Sequence, residues 1–515
     1  MPKFIDNEPV GGYHGVTAHL DTLQAVCDYE EKKIELNTGY PRFVTHPEVR
    51  QTEQQIKDTW EAHAVLAFCS FESALFAAVD YFFNKGISIK VESAKAQKII
   101  ETLQGMWGRL LIEKQQADIV IRGDKNIEFH SPQEGYILTV IGDEAAGFVV
   151  LHKPLLEELG LVRRNIGFNL SSRRAERRNK NLSIPKSDAL DSVKHKLIKL
   201  EESQNCFLLP SGMAAVFVSI LSCIEPQRTK IVCIGNVYVD TLCILENWPS
   251  RKKTAISEFI LDVHDKQAIQ KAIDDKTAVV ICEVPTNPLL DVPDINAIVS
   301  LAHSKGAKVI IDSTVATPAN IHPLKLGADI VVHSTTKFLN GRNDHMGGVL
   351  FTDDIQLTKK AASIIKTANI YMDIQDATVL NTNLDGFQRR MVVINKNGKE
   401  IAGYLRTKAA KTYYPKKNAY LKAGSGLISF VLTNSNKERA ALFYDNLTDP
   451  IIRGPSLGAE QTLLCPYTLL AHYQCTDAQL KELGLDRYLF RISVGTEPVE
   501  KIKEALQHGF DALGG

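Results

Sequence analysis

Between Lys230 and Asp353 the chain repeats one pattern, in which short runs of consecutive apolar residues rich in Val and Ile are separated by segments of helical length. KIVCI, AVVICEV, KVIIDS, DIVVHS and GGVLF are such runs. A strand with one wet face alternates apolar and polar residues. An unbroken apolar run instead suits a strand covered on both faces, and helices between such strands carry the chain back for parallel pairing. The intervening PDINAIVSLAHSKGA sets Ile295, Ile298, Leu301 and Ala302 at helical spacing and stops at Gly306, which predicts an amphipathic helix. The expected fold class is α/β, a mostly parallel sheet with helices on both faces.

After Asp373 the segments become longer, more charged and helix-like, and are followed by FVLTNS and RYLFRISVG, which predict strands of a smaller α+β C-terminal domain. Toward the N-terminus, 88–100 and 107–160 mix short strands such as ADIVIRG and AGFVVLH with helices, the pattern of an inserted α/β lobe. The division expected is an N-terminal arm over 1–75, the lobe over 76–185, a large α/β domain over 186–373 and the C-terminal domain over 374–515. EAHAVLAFCSFESALFAAVDYFF (61–83) parallels SQNCFLLPSGMAAVFVSIL (203–221), either as two strand–turn–helix units or as a partial duplication.

Composition narrows the function classes. The chain has 515 residues, 60 basic and 60 acidic side chains and 44% hydrophobic residues, which excludes a disordered tail and a collagen-like fibre. Zero net charge argues against a dedicated nucleic-acid binder. The 9 cysteines form no C-x-x-C pair and sit mostly in apolar runs, as reduced thiols of a cytoplasmic protein do. The uncharged stretch Ser203–Ile224 is interrupted by Pro210, Ser211 and Gly212, so no membrane span is expected. The 14 histidines offer no metal-ligand spacing. One local bias stands out: 163–181 holds Arg163, Arg164, Arg173, Arg174, Arg177, Arg178 and Lys180 against the single acid Glu176, either a solvated charged face or an anion site.

The chemistry concentrates at the predicted strand ends. VVHSTTKFLNG delivers Ser334, Thr336 and Lys337 to the edge where open α/β sheets hold ligands. Hydroxyls just before a lysine suit a phosphate beside a Schiff base. KVIIDSTVATP ends its strand with Asp312, placed to pair with a protonated pyridine nitrogen. AVVICEVPTNP adds Glu283 and Asn287 at the same edge, and Ser211, Gly212 and Met213 open a helix whose free N–H groups attract phosphate. Tyr238, after another strand, can stack on an aromatic cofactor.

With PSGMAA, CEVPTNP, IDSTVATP, HSTTKFLNG and RISVGTEP in this order, the chain resembles the cystathionine γ-synthase and lyase family of pyridoxal-phosphate enzymes, fold type I, with the layout of the long fungal-type synthases. The resemblance implies a seven-stranded large-domain sheet and pyridoxal 5'-phosphate as cofactor. It implies Lys337 as Schiff-base lysine and proton shuttle, with Tyr238 as the stacked catalytic ring. Asp312 would be the pyridine partner, with Gly212, Met213, Thr314, Ser334 and Thr336 completing the cofactor site. Arg491, with Asn287 and Ser456, would hold the substrate carboxylate. The family's Y-x-R tripeptide, which reaches a neighbouring subunit's phosphate, matches Tyr40 and Arg42, with Arg173 a second candidate. That implies a homodimer or homotetramer with shared active sites acting on small amino-acid substrates.

The activity implied is γ-replacement through a vinylglycine-type intermediate, joining an O-acyl or O-phospho homoserine to a thiol such as cysteine. A γ- or β-lyase, a sulfhydrylase, a substitution using S-adenosylmethionine or a non-thiol nucleophile, and a catalytically silent binding module are the alternatives. Two departures bear on the nucleophile. GRND (341–344) stands where common members read GHSD, and the usual glutamate falls at Gln461, with Glu460 beside it.

Overall fold

A computed structural model of the chain describes residues 3–5, 9–39, 44–84, 88–107, 118–123, 125–131, 135–152, 156–251, 257–416 and 418–514. Its centre is a seven-stranded sheet in the spatial order Cys206–Leu209, Gly348–Phe351, Ile330–Ser334, Lys308–Asp312, Thr277–Glu283, Lys230–Ile234 and Ser257–Ile260. Gly348–Phe351 runs antiparallel to both neighbours, and the five strands beyond it pair in parallel. The unbroken apolar runs have the reason the pattern gave. Ile231, Cys233, Val279, Ile281 and Ile310 enter the core on one face, while Val232, Ile234, Val280, Cys282, Val309 and Ile311 enter the core on the other. The edge strand Ser257–Ile260 is half-buried throughout, so it lacked the apolar run that marks its neighbours.

The helix expected near 294–306 spans Ile295–Ser304, capped by Asp294, whose side chain accepts the Ala297 N–H, and followed by Gly306 at φ +69°. The C-terminal sheet has five strands. There the FVLTNS expectation is displaced: the strand is Leu427–Val431, and the polar residues after it turn through Asn434 at φ 52° into the helix Lys437–Asp445, which Asn436 caps. Phe490–Ser493 pairs with this strand as its central neighbour.

A six-stranded sheet occupies the N-terminal third, with strands from Ala64–Phe68 to Gly147–Leu151, so its first strand precedes residue 76. This lobe shares its core with the large domain. Its helix Phe71–Asn84 contributes Phe76, which packs edge-on against Phe217 of the helix Gly212–Cys223 and against Phe168, with ring centroids 6.3 and 5.7 Å away. The two similar sequence segments form strand–turn–helix units in different sheets, each with a serine cap: Ser70 accepts the Ser73 N–H and Ser211 the Ala214 N–H.

Farther upstream, Ala18, Leu20, Leu23 and Val26 are buried in the core of the C-terminal domain with Ile428, Phe443 and Tyr444. All nine cysteines are free thiols. No helix among the described residues is long and apolar enough to cross a membrane.

Because Phe76 is fully buried between lobe and large domain, Phe76→Ala should cost about 3–5 kcal/mol of stability. Chemical denaturation checks this. A loss below about 1 kcal/mol would show that the lobe's packing is dispensable to the large domain.

Candidate active site

The strand Cys206–Leu209 turns through Pro210 and Ser211 into the helix Gly212–Cys223. Ser211 Oγ accepts the Ala214 N–H at 3.0 Å and donates to the Gly167 carbonyl at 2.7 Å. The first-turn N–H groups of Gly212 and Met213 have no partner four residues back, which makes this corner a site for a phosphate. Gly212 must be glycine, since a Cβ there would lie 2.8 Å from Ser334 Cβ. Ser334 ends its own strand, and its N–H donates to Thr314 Oγ1 at 2.8 Å. Thr336 Oγ1 accepts the Gly347 N–H at 3.1 Å, tying the turn after the strand to the strand that follows.

Asp312 ends the adjacent strand and accepts the Thr314 N–H at 2.9 Å. Burial pushes its carboxyl up, and the Thr314 hydrogen bonds pull it back. Among the described residues no basic side chain pairs with it, although it borders a cavity. A protonated pyridine nitrogen fits that position. Glu283 sits in register beside Asp312 on the next strand. Burial, and then the Asp312 charge, hold its acid well above the usual carboxylate range, and it accepts the Tyr238 backbone N–H.

Lys337, buried in the turn after Ile330–Ser334, donates from Nζ to Ser456 Oγ at 3.0 Å. Ser456 holds φ at +98°, a strained conformation for a residue with a side chain. The same residue's carbonyl accepts Arg491 Nη2 at 3.3 Å, and Asn287 Oδ1 accepts Arg491 Nη1 at 3.0 Å. The guanidinium lies 4.6 Å from the Tyr467 ring centroid. Arg491 is thus oriented by an asparagine of the large domain and a serine of the C-terminal domain.

Gly212, Met213, Tyr238, Asn287, Asp312, Thr314, Ser334, Thr336, Lys337, Ser456 and Arg491 all line one cavity of about 350 Å³. Asp240, Thr45 and Tyr467 line it too and escaped the sequence reading, and Arg163 and Arg164 of the basic stretch join them. Tyr40 and Arg42 lie outside the described residues. Arg173 is directed elsewhere: Nη1 donates to Asp376 at 2.8 Å and Nη2 to the Asp344 carbonyl at 2.6 Å.

The basic stretch is not a solvated face. Arg163 pairs with Glu53, Arg164 with Asp240, Arg173 with Asp376, Arg177 with Asp373, Arg178 with Asp143 and Lys180 with Glu176. Most of these acids are distant in sequence, so a local charge count misses them. The GRND and Glu460 segments meet each other, with the Glu460 N–H donating to the Gly341 carbonyl at 2.7 Å, and neither lines the cavity.

Residues 178–511 match the profile of the family described as Cys/Met metabolism PLP-dependent enzyme, and the chain belongs to that family. It is 30% identical over 338 residues to a cystathionine beta-lyase of Lactococcus lactis, covering 63% of this chain and 86% of that protein. It is 35% identical over 321 residues to a cystathionine gamma-synthase of Neurospora crassa, covering 58% of this chain and 50% of that protein. A solved cystathionine gamma-lyase of Lactobacillus plantarum in complex with L-serine superposes with a TM-score of 0.58 at 27% identity, covering 64% of this chain and 87% of that one. The fold is therefore fold type I and the cofactor pyridoxal phosphate, which the phosphate corner and the unpaired Asp312 fit.

Asp376 tests the placement of Arg173. Burial lifts its carboxyl to about 6 even with Arg173 beside it, so Arg173→Ala should cost about 3 kcal/mol by stranding a buried acid. Cofactor titration should be unaltered. A tenfold weaker affinity for pyridoxal phosphate at full stability would return Arg173 to the phosphate.

Proposed function

We propose that the chain is a γ-replacement enzyme that joins an activated homoserine, O-acyl or O-phospho, to a thiol such as cysteine. The reading is carried by the Arg491 clamp beside Lys337. A guanidinium oriented by Asn287 and Ser456 suits an amino acid's α-carboxylate, and the buried lysine amine lies on the same serine's hydroxyl. The likeness to a gamma-synthase supports it.

Pyridoxal phosphate, when bound, supplies the sink for negative charge developing on the amino acid. The chain does the rest. Gly212, Met213, Ser334 and Thr336 receive the phosphate, and Asp312 keeps a proton on the ring nitrogen. The Tyr238 ring, which lines the same cavity, would stack against the cofactor. Lys337 Nζ, steered by Ser456 Oγ, would take the proton from Cα, pass it on before taking one from Cβ, and return a proton to each carbon once the γ-substituent has left and the thiol sulfur has bonded to Cγ. Overall, the sulfur–carbon bond replaces the oxygen–carbon bond, and the carboxylate or phosphate leaves with the thiol's proton accounted for in the product acid.

A second reading has its own support in the lyases to which the chain is similar: with no thiol to add, loss of the γ-substituent followed by hydrolysis with water would yield an oxo acid and ammonia. In either case we propose a homodimer or homotetramer in which Tyr40 and Arg42 reach a neighbouring phosphate.

The protein should absorb visible light through bound cofactor, and Lys337→Ala should abolish that band. Incubation with O-acyl- and O-phosphohomoserine and with S-adenosylmethionine, each with and without cysteine, should give cystathionine by mass spectrometry only when cysteine is present. 2-Oxobutanoate formed without thiol would move the assignment to a lyase, and a colourless protein that binds no cofactor would leave only a silent fold.

A further inference from the structure

We propose that Asp240 is a positioning residue for the Tyr238 phenol and that Arg164, on the helix Leu156–Ile166 outside the family-matched region, holds Asp240 in that role. The inference rests on the reading of the cavity as an amino-acid site. Tyr238 Oη donates to Asp240 Oδ2 at 3.0 Å, while Arg164 Nε and Nη2 both donate to Asp240 Oδ1, at 2.9 and 2.8 Å. One oxygen of the carboxylate therefore carries the phenol and the other a guanidinium. Asp240 is buried at 2%, Arg164 reaches it from a partly exposed position, and all three line the cavity.

The arrangement has two consequences. With its proton on Asp240, the phenol turns lone pairs toward the cavity, where it can accept a hydrogen bond from an incoming ammonium or thiol. The two charges also act on the phenol in opposite senses: the carboxylate disfavours a second negative charge on Tyr238 Oη, and the arginine offsets the carboxylate. Other charged or titratable groups around the cavity are Glu283 and Asp312 at the strand ends, Lys337 in its turn, Arg491 with Tyr467 and Cys465 from the C-terminal domain, and Arg163, which Glu53 pairs. All of these are left in place in the variants, so opposite responses can be compared with the same groups present.

The experiment uses the full-length holoenzyme and follows glycine binding through the cofactor's absorbance across pH, which needs no turnover. Tyr238→Phe identifies the alkaline limb belonging to the phenol by abolishing it. Asp240→Asn should move that limb to lower pH and Arg164→Gln to higher pH, each by up to about one pH unit. Glycine affinity should fall about tenfold in Asp240→Asn, and no further when the same change is made in Tyr238→Phe.

Shifts in the same direction, no shift, or additive losses in the double variant would overturn the proposal. Should Asp240→Asn fold poorly, the Arg164→Gln limb alone decides. Glycine binding with the expected shifts but no product from the homoserine panel would sink the γ-replacement reading and leave this inference standing. Product formation with unmoved limbs would do the reverse.

Discussion

The site depends first on the register of the parallel strands. Glu283 lies directly across from Asp312, and Asp312 from Val332, so that Ser334 emerges two residues farther along the same edge. Successive residues point to opposite faces, so a slip of one position would turn Asp312 toward the opposite face and bring an apolar neighbour to the cavity. The register is held because both faces are buried: each strand divides its side chains between two apolar cores, and a slip would exchange them. The antiparallel strand Gly348–Phe351 locks the other side, pairing Gly348 with both Ser334 and Leu209. A Cβ on Gly348 would lie 2.1 Å from the Ser211 carbonyl oxygen, so only glycine lets the corner before the helix Gly212–Cys223 close this tightly against the strand.

The N-terminal six-stranded lobe is joined to this sheet by charge as well as by packing. The arginines of 163–181 reach acids on other elements, and Asp373 and Asp376 receive three of them at the start of the helix Ile374–Leu384. Negative side chains at a helix N-terminus are favoured by its dipole, so the acids suit that place before any arginine arrives. Zero net charge over the whole chain thus conceals a dense internal pairing between segments of opposite sign. Breaking one of these partly buried pairs would strand its partner's charge, so together they hold the lobe against the elements that carry the acids.

The cavity residues were legible because most lie within a few positions of a strand end, and a strand end announces itself in an apolar run. Lys337, Asp312 and Gly212 belong to local patterns of that kind. Asp240 was not legible in the same way, although it lies two residues after Tyr238, because an acid near the start of a helix is common on dipole grounds alone. Its role depends on Arg164, 76 positions away in sequence. Ser456 was found by resemblance, but its positive φ follows from the surroundings of its loop. The strand expected at FVLTNS lies a few residues earlier for the opposite reason: after Phe430 and Val431 the chain runs into Asn434 and Asn436, whose side chains and backbone favour a turn and a cap.

That loop also gives the N-terminal segment a place in the chemistry. Thr17 Oγ1 donates to the Pro455 carbonyl at 3.2 Å, and Gly454 approaches the Ala18 carbonyl so closely that a Cβ would stand 2.2 Å from it. Val16 N–H donates to the Asn343 carbonyl at 2.7 Å, in the turn that follows Lys337. One short stretch of chain therefore braces both the loop that presents Ser456 and the turn that leads from the lysine. A strained residue such as Ser456 persists only where its neighbours overdetermine it, and here they come from the first twenty residues and from the strand Phe490–Ser493, whose Ser493 hydroxyl accepts the Gly458 N–H at 2.8 Å. The Lys337 amine and the Arg491 guanidinium meet on one serine because segments from both ends of the chain converge on its loop.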